Sequence, residues 1–519
     1  MNPMENPILF GFIVYLFLIL FVGILTSRYV RSQSDFILGG RKLGPWVIAF
    51  SERASGESAW LLIGLPGLAL ATGFVEIWAV IGCTSGIVFS WLVIAKKLRT
   101  ECNRFDDLTL PDFLMNRFPE ATPVLRLLAS LLIAFFFSFY VAAQINGAGK
   151  VLVATFPEVL EDIQSFLSVE WSTPVIGMII GAIIIIFYTI MGGFLAVAWT
   201  DLVQGIIMLF TLVVLPIAAF VELHTNPELT ERLNAVDWSS FSVTGGKTGA
   251  ALWIAVISGL SWGLGYMGQP HLLARFKAIR SAKDIRVGSL IATFWAVPAF
   301  WGAFLIGIIG FCIYGQGHFD DPEKIMPVLT MEIMPMWLAG IMISGAVAAM
   351  MSTADSQLLI SSSTLSEDII HKFMGLKVSQ KSLVVISRAI TLAIGILGFI
   401  LAITSKELVF HMVSYAWSGL SASFGPPLLL ALWWKRTNGY GILAGMVCGA
   451  TTVIVWSAEW FKEIYAHIFL CPDAVANVTE AGGDIGSLMI SHRFSGFAVS
   501  LVLVIVVSLV TGGRKTQLD

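Results

Sequence analysis

Apolar positions along this chain gather into blocks rather than stripes. A helix needs ~20 apolar residues to cross the hydrocarbon of a bilayer. Blocks of that length recur near 7–27, 44–71, 74–98, 122–155, 173–192, 194–223 and 249–272, then near 286–316, 331–370, 381–404, 407–435, 438–461 and 492–511. The pattern predicts an all-α membrane protein of about 13 transmembrane helices. The block at 7–27 lacks a basic leader and a small-residue cleavage site, and reads as a retained helix rather than a signal peptide. The longest polar stretches, near 224–248 and 462–491, read as loops too short for a catalytic core. The expectation is one transmembrane domain over 1–519 with no enzymatic activity.

Composition agrees with the pattern. Hydrophobic residues make up 57% of the 519 positions and charged ones 13%, where a soluble domain carries about 25% charged. A net charge of −3 excludes nucleic acid as a partner, because phosphate binding needs a concentrated basic surface. Membrane lipid is the surrounding medium, and no obligatory protein partner is evident. Cys83, Cys102, Cys312, Cys448 and Cys471 show no CxxC or metal-ligand spacing and read as small hydrophobes. The sequon at Asn477 carries little weight.

Lys and Arg collect in alternate loops: Arg28 to Lys42, Lys96 to Arg104, Arg275 to Arg286, Lys372 to Lys381, Lys435 with Arg436, and Arg514 with Lys515. Positive charge marks cytoplasmic loops. The N-terminus is therefore expected outside and the C-terminus in the cytoplasm, in a plasma membrane that the loop lengths suggest is a bacterial inner membrane.

Polar residues inside the blocks carry the functional information. SERASGESAW (51–60) brings Glu52, Arg53 and Glu57 into the second block, next to ASGES and GLPG; SGLSWGLGYMGQPH (258–271) disrupts the seventh. Non-helical backbone at membrane depth occurs where it lines a cavity or binds something. Two interrupted helices in corresponding positions are the signature of an inverted-repeat transporter with a midplane site, although glycines also simply allow close packing. In AVAAMMSTADSQLLISSS (346–363), Ala349, Ser352, Thr353 and Ser356 follow the spacing of one helical face. Their oxygens suit a small alkali cation, or hydrogen-bond across helices as packing contacts. Asp355 and Asp201 are ionisable at membrane depth, where such residues are costly and by default functional.

GGRKLGPW (39–46), SAWLLIGLPG (58–67), LTLPDF (108–113), GGFLAVAWTD (192–201), SWGLGYMGQPHLLARF (261–276), MSTADSQLL (351–359) and VSYAWSGLSASFGP (413–426) resemble the sodium/solute symporter family, most closely its sodium/proline symporters. The resemblance implies a LeuT-type core of two inverted five-helix repeats, here 44–223 and 249–435, preceded by an extra helix and loop (7–43) and followed by C-terminal helices (438–519). It implies a sodium (Na+) site of the Ala54, Glu57 and Ala349 carbonyls with the Ser352 and Thr353 hydroxyls. It places a possible second ion or proton at Asp201, Asp355 and Ser356. Solute would meet Ser58, Trp60, Gly64, Tyr140, Gln144, Trp262 and Tyr266, with Gln269 and Pro270 near the gate.

The chain departs from that pattern. Where sodium/proline symporters typically carry an aspartate it has Gly56, and Glu57 follows where the residue is usually apolar. Arg53 stands where a small residue is usual, and Asp355 replaces a serine. The charges suggest a network of Glu52, Arg53 and Glu57, with Arg53 expected to balance Glu57 and Asp355, or else to meet a solute carboxylate. The expected function is sodium-coupled import of proline or a related amino acid by alternating access. The alternatives are another small carboxylate, sugar or vitamin-like acid, or a transporter-like nutrient receptor.

Overall fold

The structure is a computed structural model that describes the chain except for residues 1–5, 28–32, 106, 192, 237–241, 316, 377, 406, 471–484 and 513–519. Cys471 and the sequon at Asn477 thus lie outside the described residues. Eleven helices among the described residues are long and apolar enough to cross a membrane. Helix α1 (Pro7–Ser27) comes first. The second block is split into α2 (Pro45–Gly56) and α3 (Leu65–Thr72), and α4 (Ile77–Phe89) runs on through a π-helical turn towards Phe105. Then come α5 (Thr122–Thr155), α6 (Thr173–Met191) and α7 (Phe194–Thr225). The seventh block is split into α8 (Gly249–Leu260) and α9 (Pro270–Ala278). The chain continues with α10 (Asp284–Tyr314), α11 (Met336–Ser363), α12 (Gln380–Thr404), α13 (Val409–Trp433), α14 (Gly439–Trp456) and α15 (His492–Val510).

Two helices of the sequence pattern lie outside those eleven, each for a physical reason. Helix α2 is cut off by the interruption after Gly56, while the rest of its block, from Trp60, joins the long second span. Helix α13 is diluted by Ser414, Ser418, Ser421, Ser423, Pro426 and Pro427, all buried, so its wall is protein rather than lipid. The expected loops also contain short helices, Pro227–Ala235 and Glu459–Phe469, the second amphipathic with Trp460, Ile468 and Phe469 exposed. Helix α1 shows how lipid replaces water as the outer solvent: Phe12, Tyr15 and Ile19 are buried, while Phe10, Phe17 and Phe21 lie exposed on the opposite side. An all-round apolar helix is the form that such surroundings stabilise.

Both interruptions fall at the C-terminal end of the motif that predicted them. Helix α2 starts at a proline and ends at Glu57; Ser58 takes φ +28°, a left-handed region costly for a residue with a Cβ. The chain restarts through a π-helical turn, Trp60–Gly64, into α3. Helix α8 tightens into a 3₁₀ segment, Ser261–Met267, before Gly268 and the extended Gln269; Pro270 then opens α9 with φ already set for a helix. A Cβ at Gly268 would come within 2.7 Å of the Gly425 nitrogen on α13, so only glycine allows that approach.

The 3₁₀ segment also lies main chain to main chain on α4. A Cβ on Gly86 would overlap the Gly263 backbone, and one on Gly263 would overlap the Gly82 carbonyl. Overpacking costs about 1–3 kcal/mol where the neighbours can shift, and here the neighbour is backbone. Gly86→Val is therefore expected to lower the thermal midpoint of the detergent-solubilised protein, while Gly44→Ala, with nothing within 4 Å, leaves it unchanged. Equal midpoints for the two variants would refute the close approach.

Candidate functional site

Helix α2 ends in the middle of the bundle, packed against α7, α9, α10 and α11. Interrupting a helix frees its last carbonyls, and here they face hydroxyls. The Ser352 hydroxyl donates to the Ala54 carbonyl at 2.9 Å and to the Ala349 carbonyl at 3.1 Å, and the Thr353 hydroxyl donates to the Ser55 carbonyl at 3.0 Å. The Ser55 carbonyl is free for this because the Ala59 N–H, its partner in a continuous helix, turns instead to Gln144 Oε1 at 3.0 Å. Ala54, Ala349, Ser352 and Thr353 are all fully buried. Three carbonyls and two hydroxyls make a hard, neutral oxygen set, and each hydroxyl can turn its hydrogen aside and offer lone pairs. That set fits an alkali cation. Neither hydroxyl bonds the Glu57 carbonyl, which accepts from Leu61 N–H at 3.2 Å because the helix restarts there, whereas the Ser55 carbonyl lies beside the hydroxyls.

One helical turn along the same face lies a charged cluster. Asp201 Oδ2, on α7, accepts from Ser51 at 2.6 Å, Ser55 at 3.0 Å and Arg275 Nη2 at 3.0 Å. The Arg275 guanidinium also donates to Ser51 (3.1 Å), Ser55 (2.8 Å), the His271 carbonyl (2.8 Å) and the Ser356 hydroxyl. Ser356 in turn donates to Asp355 Oδ1 at 3.1 Å. Asp201 thus pairs with the guanidinium directly and Asp355 only through Ser356, and Asp201 Oδ1 and Asp355 Oδ2 are buried without a hydrogen-bond partner among the described residues. Arg275, counted in the sequence as a loop cation, is wholly buried in α9. Its signal was available: an aspartate at membrane depth demands a partner.

Arg53 completes a second three-charge group. Its Nε donates to Glu52 Oε2 at 2.6 Å, its Nη2 to Glu52 Oε1, and its Nη1 to Glu57 Oε1 at 2.5 Å. Tyr266 OH donates to both Glu57 oxygens, at 3.2 and 3.0 Å, and Trp91 Nε1 to Glu52 at 3.0 Å. Arg53 also lies over the Tyr266 ring, 5.3 Å from its centroid. The network of Glu52, Arg53 and Glu57 is present, but the expected link from Arg53 to Asp355 is not: Asp355 belongs to the Arg275 cluster. Three of the five N–H donors of Arg53, one on each guanidinium nitrogen, go to glutamates.

Aromatic side chains form the remaining wall. Trp60 and Trp262 stack at 4.6 Å with their planes 7° apart, and Phe300 and Phe410 close around Trp60. Tyr266 meets Trp417 edge-on at 4.9 Å, Trp417 Nε1 donates to the Trp262 carbonyl at 3.1 Å, and Gln269 Nε2 donates to the Trp417 carbonyl at 3.0 Å. Tyr140 reaches the Ser58 hydroxyl at 3.4 Å, and Gly64 lies where a Cβ would touch Trp60 and Phe410. Trp60 Nε1, a donor, and Gln269 Oε1, an acceptor, are buried with no partner among the described residues. Phe300, Phe410 and Trp417 were not singled out from the sequence, since an aromatic residue in an apolar block looks like packing until the fold shows which face it lines.

A bundle with two interrupted helices, buried ion-suited oxygens between them and an aromatic wall is the architecture of a secondary transporter rather than an enzyme. The model of the sodium:solute symporter family matches residues 36–449. The chain is 38% identical over 441 residues to the high-affinity proline transporter PutP of Bacillus subtilis (strain 168), covering 84% of this chain and 89% of that one. It is 36% identical over 472 residues to the sodium/proline symporter of Escherichia coli (strain K12), covering 89% and 90%. Its fold is similar to that of a Na+-coupled sialic acid symporter solved in a substrate-bound outward-open state, with TM-score 0.69 over 98% of this chain and 99% of that one at 17% identity. The chain belongs to the sodium:solute symporter family, with the LeuT-type fold and sodium as coupling ion.

Proposed function

We propose that this transporter imports proline, or a closely related small amino acid, with sodium. The observation that carries the coupling is the meeting of the α2 carbonyls with the α11 hydroxyls; the relatives named above support the solute. Sodium would be held by Ala54, Ser55, Ala349, Ser352 and Thr353. The site joins two helices that must separate for the inner path to open, so an ion there favours one arrangement of the bundle. That arrangement also assembles the wall of Ser58, Trp60, Gly64, Tyr140, Gln144, Trp262, Tyr266, Gln269 and Pro270. Sodium and solute therefore strengthen each other's binding by the same factor. The unpartnered Trp60 donor and Gln269 acceptor suit the two ends of a zwitterion, and the rings suit an apolar body with polar edges.

The repeats are assigned to 44–223 and 249–435, with 7–43 before and 438–519 after, the N-terminus outside and the C-terminus in the cytoplasm of a bacterial inner membrane. One inward positive charge contributes ~2.3 kcal/mol per 100 mV, about a 50-fold concentration ratio. Asp201, Asp355 and Ser356 form the place for a second cation or a proton, because one Arg275 leaves that cluster with an excess negative charge. In proteoliposomes with an inward sodium gradient, labelled proline is expected to accumulate above its outside concentration, and to equilibrate only when the gradient is collapsed. Binding without accumulation would point to a receptor, and gradient-independent flux to a facilitator.

A further inference from the structure

Helix α15 lies outside the residues that the family model matches, yet it reaches the aromatic wall. It packs against α13, α14 and the 3₁₀ segment of the second interrupted helix. Its second residue, Arg493, is 9% exposed. The guanidinium lies over the Trp262 ring, 4.3 Å from the centroid, and the same ring stacks on Trp60. Its Nε donates to the Ser261 hydroxyl at 3.3 Å, Nη2 to the Ser258 carbonyl at 3.1 Å, and Nη1 to the Ser414 hydroxyl.

Every one of these partners is neutral. The fully buried guanidiniums, Arg53 and Arg275, each hold a carboxylate, whereas Arg493, like Arg99 at the same exposure, has none within ion-pair distance among the described residues. Glu76 lies within electrostatic range of Arg493 but forms no ion pair with it, and its carboxylate accepts from the Thr72 hydroxyl at 3.2 Å. A buried cation without a directly paired counter-ion is costly, and part of that cost is recovered when an anion makes the contact. A guanidinium matches a carboxylate through two parallel hydrogen bonds, and hydroxyl acceptors such as Ser261 and Ser414 can rotate to donate to the same anion.

We propose that Arg493 recognises the carboxylate of the incoming solute against Trp262, as a specificity-determining residue supplied from outside both repeats. This rests on the amino-acid reading above. In the proposed orientation α15 begins at the outer face, so the contact belongs to the outward-facing approach. The group it selects is an anionic carboxylate on a small solute; a neutral amide of the same shape lacks the charge.

The test compares proline with prolinamide as competitors of labelled-proline uptake in proteoliposomes, for the wild type, Arg493→Gln and Arg493→Lys. Arg493→Gln is expected to raise the KM for proline by about ten-fold or more, with most of the loss in KM rather than kcat. It should also narrow the preference for proline over prolinamide by a similar factor, with Arg493→Lys in between. Proline and prolinamide weakening together, or an unchanged KM, would overturn the proposal, since a merely structural role does not discriminate between them. If Arg493→Gln does not fold, Arg493→Lys decides through KM, because it keeps the charge and loses the fork: a raised KM for proline with kcat unchanged supports the assignment, and a KM equal to the wild type's rejects it. A wild type that takes up no proline with sodium refutes the solute reading by itself. Iodide quenching of tryptophan fluorescence then decides on Arg493: stronger quenching in the wild type than in Arg493→Gln, lost when Trp262→Phe is added to both, supports an anion at this place, and equal quenching sinks it.

Discussion

Replacing Ser352 by alanine is expected to raise the sodium concentration for half-maximal uptake by one to two orders of magnitude. The Ser352 hydroxyl bonds carbonyls on both sides of the proposed ion site, at 2.9 Å from that of Ala54 and 3.1 Å from that of Ala349. A polar contact to a charged partner contributes ~1.5–3 kcal/mol, which is roughly a 10- to 150-fold change in an equilibrium constant. Thr353→Val, which keeps the shape and removes the hydroxyl, belongs to the same class, and Thr353→Ser is expected to stay near the wild type. Because the ligands are coupled, the solute KM of Ser352→Ala should worsen at low sodium and recover as sodium is raised. A sodium dependence identical to the wild type's, in protein that still transports, would remove Ser352 from the ion site.

The second large effect is expected at Arg275. It is wholly buried and bonded to Asp201, Ser51, Ser55, Ser356 and the His271 carbonyl. Removing one partner of a buried ion pair costs about 3–5 kcal/mol, because the other charge is left uncompensated. Arg275→Gln should therefore lower the thermal midpoint sharply and abolish uptake, leaving Asp201 and Asp355 facing each other with no cation. The double variant Arg275→Gln with Asp201→Asn removes one negative charge as well, and is expected to recover most of the lost stability without recovering transport. Thermal midpoints of the two single variants and the double variant form a cycle that isolates the pair. If the two losses simply add, the charges are not coupled and the cluster is not a unit.

Much of this was legible in the residues because the bilayer is so demanding a solvent. Backbone polar groups cannot face lipid unpaired, so apolar blocks had to be helices, and ASGES and SGLSWGLGYMGQPH pointed to interruptions, with close helix packing as the other reading of their glycines. Ser352 and Thr353 announced themselves by helical spacing with Ala349. Arg275 did not, since it stands beside Lys277 and Arg280 near a helix end and looks like one more loop cation. The pairing of Asp355 was missed for the same reason. Its cation comes from a helix 80 residues earlier in the chain, and only the packing of α9 against α2 and α11 brings them together.

The sequence by itself pointed to a helical membrane transporter, the approximate spans, the two interruptions and the residue types at the proposed ion site, because these follow from burial cost and helical periodicity, both local. Tertiary structure decided which oxygens meet: Ser55 rather than Glu57 joins the hydroxyls, since Gln144 diverts the Ala59 N–H. It also decided which charges pair, giving Arg53 two glutamates, Arg275 Asp201 directly and Asp355 through Ser356, and Arg493 only neutral hydrogen-bond partners. The reason is physical. Ion pairing depends on distance through the fold, not along the chain, and in a medium poor in water each buried charge is fixed by the nearest group that the packed helices supply.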